Sequence, residues 1–351
     1  MKKAVLFLVL MGFAVGAFGQ QKPLTQGEYV QMLYGLQKNA GGRSEVIEAL
    51  RKRGIDFTLT DGIRGLTRSK GSNDEELKRA LEEANRRRQN PNAAKPPSES
   101  EAKAIIEKAR ERTLAAVEEM PDFVVKQQIQ RSEGYAGTGR FHNRDNLIVA
   151  VSYRASGQEE YKLLSRNGVV QIDTKAKGSY EEVGGTSSTG EFVTVLAKIF
   201  KPDSEGEFTV VDTDVIRNRK SVVFDFKVTR DKAKQSIVSG GTLPASTITG
   251  MSGRLWVDRE NFRVLRVESD ATEIPPDFPV RTARRTIDYD WTTINDEKYL
   301  LPAVSDVRLT ISYAGKVFET RNLIRFRNYQ KYGSEVTVGE EDVQPVKDEK
   351  P

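Results

Sequence analysis

The sequence predicts an α+β protein in which a small helical bundle is joined by a linker to an antiparallel β-domain with covering helices. Two observations predict this class. Apolar residues recur at spacings of three and four in the first third of the chain, as in helices, and from residue 123 they alternate at a spacing of two, as in strands. About ten strands then follow at hairpin spacing without crossover helices between them, which excludes a parallel α/β fold.

The 351-residue chain is predicted to divide into five segments. Residues 1–19 have the basic start, apolar run and small-residue end of a signal peptide, with cleavage before Gln20 and a membrane anchor as the alternative. The segments that follow are a basic helical bundle (20–88), a proline-rich linker (89–98), a helix with the β-domain (99–338) and an acidic disordered tail (339–351). The protein is therefore expected to be exported to the periplasm or the extracellular space, soluble and without a stable transmembrane segment.

Capping signals predict where the helices of the bundle begin and end. Thr25 and Glu28 have the spacing of a capping box, in which each side chain satisfies the other residue's backbone N–H. Ser44 and Asn73 are predicted to cap the second and fourth helices, and Gly54 to end the second. A third, short helix is expected from residue 60 or 61 to residue 71.

Two further helices are predicted in the β-domain. Ser98 or Ser100 caps a long helix that must end before Pro121, because proline lacks the N–H that a helix requires. Residues 188–191 repeat the capping-box spacing and precede a strongly apolar helix over residues 192–200. Glycines at 184–190 make the approach to this helix a predicted hinge. The helix is either a plug that fills the barrel or a lid over a ligand cavity.

Alternation of apolar and polar residues predicts the strands. They comprise residues 123–129, 147–153, 160–164, 169–172, 208–216, 222–228, 255–257, 262–267, 284–291, 304–311 and 316–325. The most informative stretch is the hairpin at 252–268, with a polar turn at 258–261. Leu265 and Val267 move the apolar set of its second strand to the opposite face, which predicts a bulge or a strand that is covered on both faces.

This hairpin carries a resemblance. Ser-Gly-x-Leu-Trp-Val-Asp-x-Glu at 252–260 and Val-Leu-Arg-Val-Glu at 264–268 resemble the closing hairpin of periplasmic lipoprotein-carrier (LolA-type) and related lipoprotein-sorting proteins. The resemblance extends over residues 121–338 in layout. It implies a strongly curved, incomplete β-barrel that wraps an apolar cavity under a helical lid. Segments such as 223–227 and 275–279 are also similar to those of a family of uncharacterised secreted bacterial proteins, which implies relatives but no function.

The apolar side chains of the β-domain offer enough surface for either a filled core or a cavity. The candidates for contact with a lipid, an acyl chain or another apolar ligand are Phe192, Leu196, Phe200, Phe224, Phe226, Leu255, Val257, Val264, Ile287, Tyr289 and Trp291.

Basic residues are concentrated in the front of the chain. Residues 20–97 contain 15 Lys and Arg against 10 Asp and Glu, a balance of +5, whereas the rest of the mature chain has a balance of −2. Outside the cytoplasm this charge suggests an anionic envelope component or an acidic protein as a partner rather than nucleic acid. A solvated helical face, including Arg86, Arg87 and Arg88 at a frayed helix end, explains the same pattern.

The residues that catalysis requires are sparse. The chain has no cysteine, which excludes thiolate metal sites and cysteine nucleophiles. His142 is the only histidine and lies in a polar segment that is predicted to be a hairpin turn. Ser100 and Lys103 have the Ser-x-x-Lys spacing of serine–lysine acyl enzymes, but a plain helix cap explains Ser100.

Two pairs of carboxylates remain. Asp212 and Asp214, and likewise Asp288 and Asp290, lie at strand spacing and therefore on one face of the sheet. Either pair could serve a calcium site or acid–base work on a glycosidic bond, but solvent-facing strand positions explain both pairs. No catalytic residue, cofactor or metal site is therefore predicted.

The sequence thus favours a non-enzymatic cell-envelope protein that binds an apolar ligand in a half-barrel cavity. A structural or protein-interaction module with a solid barrel is the first alternative. A hydrolase with carboxylates at the mouth of the sheet is the second.

Overall fold

A computed structural model describes residues 22–38, 42–72, 74–91, 96–136, 138, 140–171, 180–187, 189–192, 194–239 and 245–334. Over these residues the chain is α+β, as predicted, with one open antiparallel sheet and helices on both of its faces. The predicted signal peptide and acidic tail lie outside the described residues. Among the residues described, no helix is long and apolar enough to cross a membrane.

Among the described residues, five helices precede the sheet in the chain, and two short ones lie between its strands in sequence. They are α1 (Gln26–Gly35), α2 (Arg43–Arg53), α3 (Asp61–Lys70), α4 (Glu75–Gln89), α5 (Glu99–Glu118), α6 (Thr194–Phe200) and α7 (Arg230–Ala233). The capping box of Thr25 and Glu28 is confirmed, because each side chain accepts a hydrogen bond from the other residue's backbone N–H. Ser98 caps α5, and Gly54, with φ of 67°, ends α2.

Three predicted helix starts are wrong. Ser44 is the second residue of α2, whose N-cap is Gly42. Asp74 rather than Asn73 caps α4, and its carboxylate accepts a hydrogen bond from the backbone N–H of Leu77. The described part of α6 begins at Thr194, after the predicted cap, because Gly190 N–H donates to Glu159 on another segment instead of opening a helix.

Twelve strands are found in the part of the chain that the structure describes. They are β1 (Phe123–Tyr135), β2 (His142–Tyr153), β3 (Glu159–Arg166), β4 (Val169–Val170), β5 (Glu207–Ile216), β6 (Arg219–Val228), β7 (Gln235–Ser239), β8 (Ala245–Asp258), β9 (Val264–Thr272), β10 (Val280–Ile294), β11 (Glu297–Tyr313) and β12 (Lys316–Lys331). The strand order is β4-β3-β2-β1-β12-β11-β10-β9-β8-β6-β5, and β7 pairs with β8. The sheet therefore has open edges at β4 and β5.

The predicted hairpin is the pair β8 and β9. Asp258 Oδ1 accepts hydrogen bonds from the N–H groups of Glu260 and Asn261, which forms the predicted polar turn. The register shifts between Trp256 and Val257, so the predicted bulge is confirmed. Both faces of β9 are covered, as described next.

The inner face of the sheet, which carries Val267 and Ile287, is covered by α5 and α6. Ile105 and Ile106 of α5 and Ile199 and Phe200 of α6 pack there against β5, β6 and β8 to β11. A second apolar cluster on the same face joins β1, β2 and β12 with Phe192 and Ala197. The core of the β-domain thus consists of two clusters side by side.

The outer face carries Arg266 and Glu268 and is covered by the helical bundle. The bundle has its own apolar core, to which α4 contributes Leu77, Ala80 and Leu81. The side of α4 that faces the sheet is charged instead. Ion pairs, described below, therefore join the bundle to the sheet.

Candidate functional site

A cavity of about 410 Å³ lies at the edge of the inner face. Its lining residues come from β3, α6 with its entry segment, β7 and the central strands: Gly157, Glu159, Tyr161, Thr189, Gly190, Val195, Lys198, Gln235, Ser236, Met251, Ser269 and Arg285. Val195 and Met251 also belong to the first apolar cluster. The cavity therefore reaches the core of the β-domain, and its volume falls within the range of known ligand sites.

A hydrogen-bonded group of residues closes one wall of this cavity. The hydroxyl of Tyr161 donates to Glu159 Oε2, and Gly190 N–H donates to the same oxygen at 3.0 Å. Burial raises the pKa of Glu159, against the lowering effect of the Tyr161 hydrogen bond, and burial also raises the pKa of Tyr161 well above its ordinary value. This wall therefore offers a hydrogen-bond acceptor whose proton affinity is increased.

Two cations, Lys198 and Arg285, also line the cavity. Burial lowers the pKa of Lys198, and the charge of Arg285 lowers it further. The positive charge of Arg285 also acts to lower the pKa of Glu159, but burial has the larger effect and raises it. Charges of both signs line the cavity, with apolar side chains between them.

The described residues between 184 and 200, which are 184–187, 189–192 and 194–200, are called the flap below, and four of them line the cavity. It comprises the approach to α6 and α6 itself. At its start, the side-chain hydroxyls of Thr186 and Thr320 are 2.8 Å apart, and Asn322 Nδ2 donates to Thr186 O at 2.8 Å. Arg131 donates to the carbonyl of Gly184 at 2.5 Å. Polar contacts with β1 and β12 therefore hold the first part of the flap.

Glycines with positive φ lie in the flap, as the predicted hinge requires. Gly184, Gly185 and Gly190 have φ of 71°, 80° and 78°, a region in which other residues are strained. Part of the predicted hinge, Ser188, lies outside the described residues. From Thr194 onward, α6 is held mainly by apolar packing.

The structure places ten of the eleven predicted ligand-binding side chains in or against the two apolar clusters. Eight of them belong to the first cluster: Phe200, Phe224, Phe226, Leu255, Val257, Val264, Ile287 and Tyr289. Leu196 packs against that cluster while half-buried, and Phe192 lies in the second cluster. Trp291 is 38% exposed and lies near Arg263. Their role in binding stays a prediction, because none of the eleven lines the cavity itself.

The sequence-based interpretation of Asp212 and Asp214 as solvent-facing residues is wrong. Arg87 pairs with Asp212, and Arg86 pairs with Asp214 at 3.0 Å. Trp256 Nε1 also donates to Asp214, whose side chain is only 4% exposed. For the same reason Arg86 and Arg87 are not a frayed, solvated helix end.

The other carboxylate pair is divided between two surroundings. Asp288 accepts a hydrogen bond from Arg266 at 2.7 Å on the outer face, whereas Asp290 is about half exposed near Arg217.

His142 does not form a hairpin turn, because it is the first residue of β2 and pairs with Glu133. In the described residues no group of three His, Cys, Asp or Glu side chains could hold a metal ion.

The interface between the bundle and the outer face is built from alternating charges. Arg51 lies 2.9 Å from Glu268, Glu83 lies 3.5 Å from Arg266, and Asp74 lies 2.9 Å from Arg308. Single-residue patterns gave no signal for these pairs, since the partners lie more than 180 positions apart. The signal that could have found them is the alternation of charged and apolar residues in α4 and β9.

Comparisons with known proteins add weak likenesses of fold. No protein-family model matches the sequence, and no curated protein is similar to it. The crystal structure of a DUF1329 family protein from Desulfovibrio piger is 8% identical and covers 67% of this chain and 95% of its own, with a TM-score of 0.27. The MucA/MucB complex of Pseudomonas aeruginosa is 9% identical over 63% of this chain and 93% of the matched one, with a TM-score of 0.19. At these values the likenesses establish neither a family nor a function.

Proposed function

We propose that the protein is an exported, non-enzymatic envelope protein that binds an acyl chain or a similar apolar ligand between the flap and the inner face of the sheet. One observation carries the proposal. The cavity under the flap is lined by Val195 and Met251, which are also members of the first apolar cluster. An apolar ligand that enters the cavity therefore meets the core directly, and burial of its surface provides the driving force.

The contacts of the flap support this role. Its first part is held to the sheet by hydrogen bonds of Thr186 and Gly184, and its glycines allow the backbone to change conformation. The apolar side of α6 covers the residues that were predicted to contact the ligand. Movement of the whole flap away from the sheet exposes these residues. This movement breaks the hydrogen bonds of Thr186 and Gly184 but leaves the strand pairing intact.

Replacement of Leu196 by Ala tests whether α6 is a lid or a plug. If α6 is a lid, we expect the free energy of unfolding to fall by less than about 1 kcal/mol, near the range of surface residues. Binding of a fluorescent fatty acid, measured by titration, should fall at the same time. Ile324→Ala in β12, outside the flap, is the matched control. Ile324 is fully buried, so this variant should lose about 2–5 kcal/mol.

The structural or protein-interaction module is the second candidate. It is favoured by the close packing of α5 and α6 on the inner face, where Ile106, Ile199 and Phe200 fill the space over the sheet. A large loss of stability in Leu196→Ala, together with no binding of the fatty acid or of its methyl ester by the wild type, would support this candidate and exclude the proposed one.

A further inference from the structure

Three uncharged polar side chains are buried on the inner face without a hydrogen-bond partner among the described residues. They are Gln127, Ser305 and Tyr289, with exposures of 0%, 0% and 1%. Both polar atoms of the Gln127 amide, the Ser305 hydroxyl and the Tyr289 hydroxyl are unsatisfied. Buried polar groups in proteins are nearly always hydrogen-bonded, so three on one face call for an explanation.

Ser305 lies at the boundary between the two apolar clusters. Ser305 pairs with Ile287 of the first cluster on one side and with Ile324 of the second cluster on the other. Tyr289 is two residues beyond Ile287 on β10, and Gln127 lies on the same face of β1 as Ile129 of the second cluster. We call Gln127, Ser305 and Tyr289 the polar seam.

The flap lies close to the seam, because Phe192 of the flap packs edge-on against Phe326, and Phe326 pairs with Gln127. Burial raises the pKa of Tyr289, and the charge of Glu191, in the flap, raises it further, whereas the charge of Arg285 lowers it. Tyr289 therefore stays protonated and can donate a hydrogen bond. Arg285 lines the cavity, so the cavity opens beside the seam. A ligand that displaces the flap from the inner face reaches both clusters and the seam between them.

We infer that the apolar ligand carries an uncharged hydrogen-bonding group, such as the carbonyl of an ester or amide, and that the polar seam binds this group. The inference rests on the proposed function. The hydroxyls of Tyr289 and Ser305, on the neighbouring strands β10 and β11, are donors that an uncharged carbonyl satisfies. The Gln127 amide, further along the sheet on β1, is both a donor and an acceptor for a second polar group of the same ligand. A charged group is disfavoured in the seam itself, because none of its three side chains carries a charge, and burial of an uncompensated charge costs far more than burial of a hydrogen-bonded neutral group. The cations Lys198 and Arg285 line the cavity rather than the seam.

Two probes with the same chain test the inference. A pyrene-labelled fatty acid is charged at a pH of about 8, whereas its methyl ester is neutral and retains a carbonyl. We expect the wild type to bind the ester about tenfold or more tightly than the acid. Tyr289→Phe should weaken ester binding about three- to tenfold, the value of one hydrogen bond, and leave binding of the acid unchanged. Ser305→Ala should act in the same direction and serves if Tyr289→Phe does not fold.

Tyr329→Phe is the matched control, because its hydroxyl already donates to Pro302 O at 2.7 Å. This variant should lower the melting temperature and bind the ester like the wild type. Tyr289→Phe should not lower the melting temperature, since it removes an unsatisfied hydroxyl. Equal binding of acid and ester, with no effect of Tyr289→Phe or Ser305→Ala, would overturn the inference alone. Binding of neither probe would overturn the proposed function as well.

Discussion

At the scale of single residues, Glu83 and Glu268 show that two glutamates at one interface can have their pKa values shifted in opposite directions. Burial, with the neighbouring charge of Asp214, raises the pKa of Glu83 to about 7, against the effect of Arg266. Burial also acts to raise the pKa of Glu268, but the charges of Arg79, Arg51 and Arg266 lower it to about 2. Ionisation of Glu83 therefore opposes folding, whereas ionisation of Glu268 favours it.

Glu83→Gln should change stability in a pH-dependent way. The pKa of Glu83 is higher in the folded state than its ordinary value of 4.5, so wild-type stability from this group falls as pH rises from about 4.5 to about 7. In urea unfolding, the free energy of unfolding of the variant relative to that of the wild type should increase by about 1–3 kcal/mol from pH 5 to pH 8. A difference that is independent of pH would contradict the assignment.

Glu268→Gln is the comparison. The contribution of Glu268 is complete above its ordinary pKa of 4.5 and is lost only as pH falls toward about 2. The variant should therefore lose about 3–5 kcal/mol, the usual effect of breaking a buried pair, and lose it equally at pH 5 and pH 8.

Several single residues could not have been assigned from the sequence. Arg131 is 2% exposed and forms a bidentate pair with Asp145 at 2.6 and 2.7 Å. An arginine between polar neighbours in a strand is usually solvent-facing, and only the neighbouring strand and the flap bury this one. The polar seam is similar, because Gln127 and Ser305 occupy positions in alternating strands that give no sign of burial.

At the scale of secondary-structure elements, α4 combines two faces with different chemistry. Leu77, Ala80 and Leu81 pack into the bundle, while Arg86 and Arg87 pair with carboxylates of β5. The sequence predicted the apolar face of α4 from its spacing. It could not predict the partner of the charged face, since charge alone does not distinguish solvent from an oppositely charged strand.

Arg86→Ala and Arg88→Ala compare, on one helix, an arginine that pairs with a carboxylate of the sheet and an arginine that does not. Removal of Arg86 leaves the buried Asp214 carboxylate without its cation, and we expect a loss of about 1.5–3 kcal/mol in urea unfolding. Arg88 contacts only Asn85 within its own helix through the described hydrogen bonds, so Arg88→Ala should lose less than about 1 kcal/mol. Equal losses would show that the pair of Arg86 and Asp214 does not contribute to stability.

Other elements show where spacing is informative. The hairpin of β8 and β9 was predicted with its turn and its bulge, because a change of apolar face within one strand has few structural solutions. β7 was missed, since only Ile237 of its five residues is buried. The start of α6 was misplaced because Phe192 packs edge-on against Phe123 and Phe326 instead of forming a helical turn.

At the scale of the whole molecule, the positive charge of the bundle meets carboxylates of the same chain. Arg51 and Arg79 face Glu268, and Arg86 and Arg87 face Asp214 and Asp212. The sequence indicated the charge imbalance between the two parts but not that one part neutralises the other. An anionic envelope component or acidic protein as partner of the bundle, and the division of the chain at residues 89–98, stay predictions.

The fold class and the order of helices and strands followed from spacing, capping residues and turns, which are local properties. The cavity, the flap and the polar seam did not follow, because each depends on which distant strands become neighbours. Arg285, Tyr161 and Val195 are far apart in sequence and line one cavity only after β3 and β10 are fixed by the sheet. The flap, which contributes Thr189, Gly190, Val195 and Lys198 to the lining of that cavity, is therefore the element on which the proposed function depends.

A disulfide that joins the flap to β12 tests the proposed function most directly. The hydroxyls of Thr186 and Thr320 are 2.8 Å apart, and the chain has no other cysteine, so Thr186→Cys with Thr320→Cys should form a single reversible disulfide. Titration with the pyrene-labelled methyl ester should show at least about tenfold weaker binding in the oxidised protein, with wild-type binding restored on reduction. Wild-type binding in the oxidised protein, with the disulfide verified by mass spectrometry, would contradict the account.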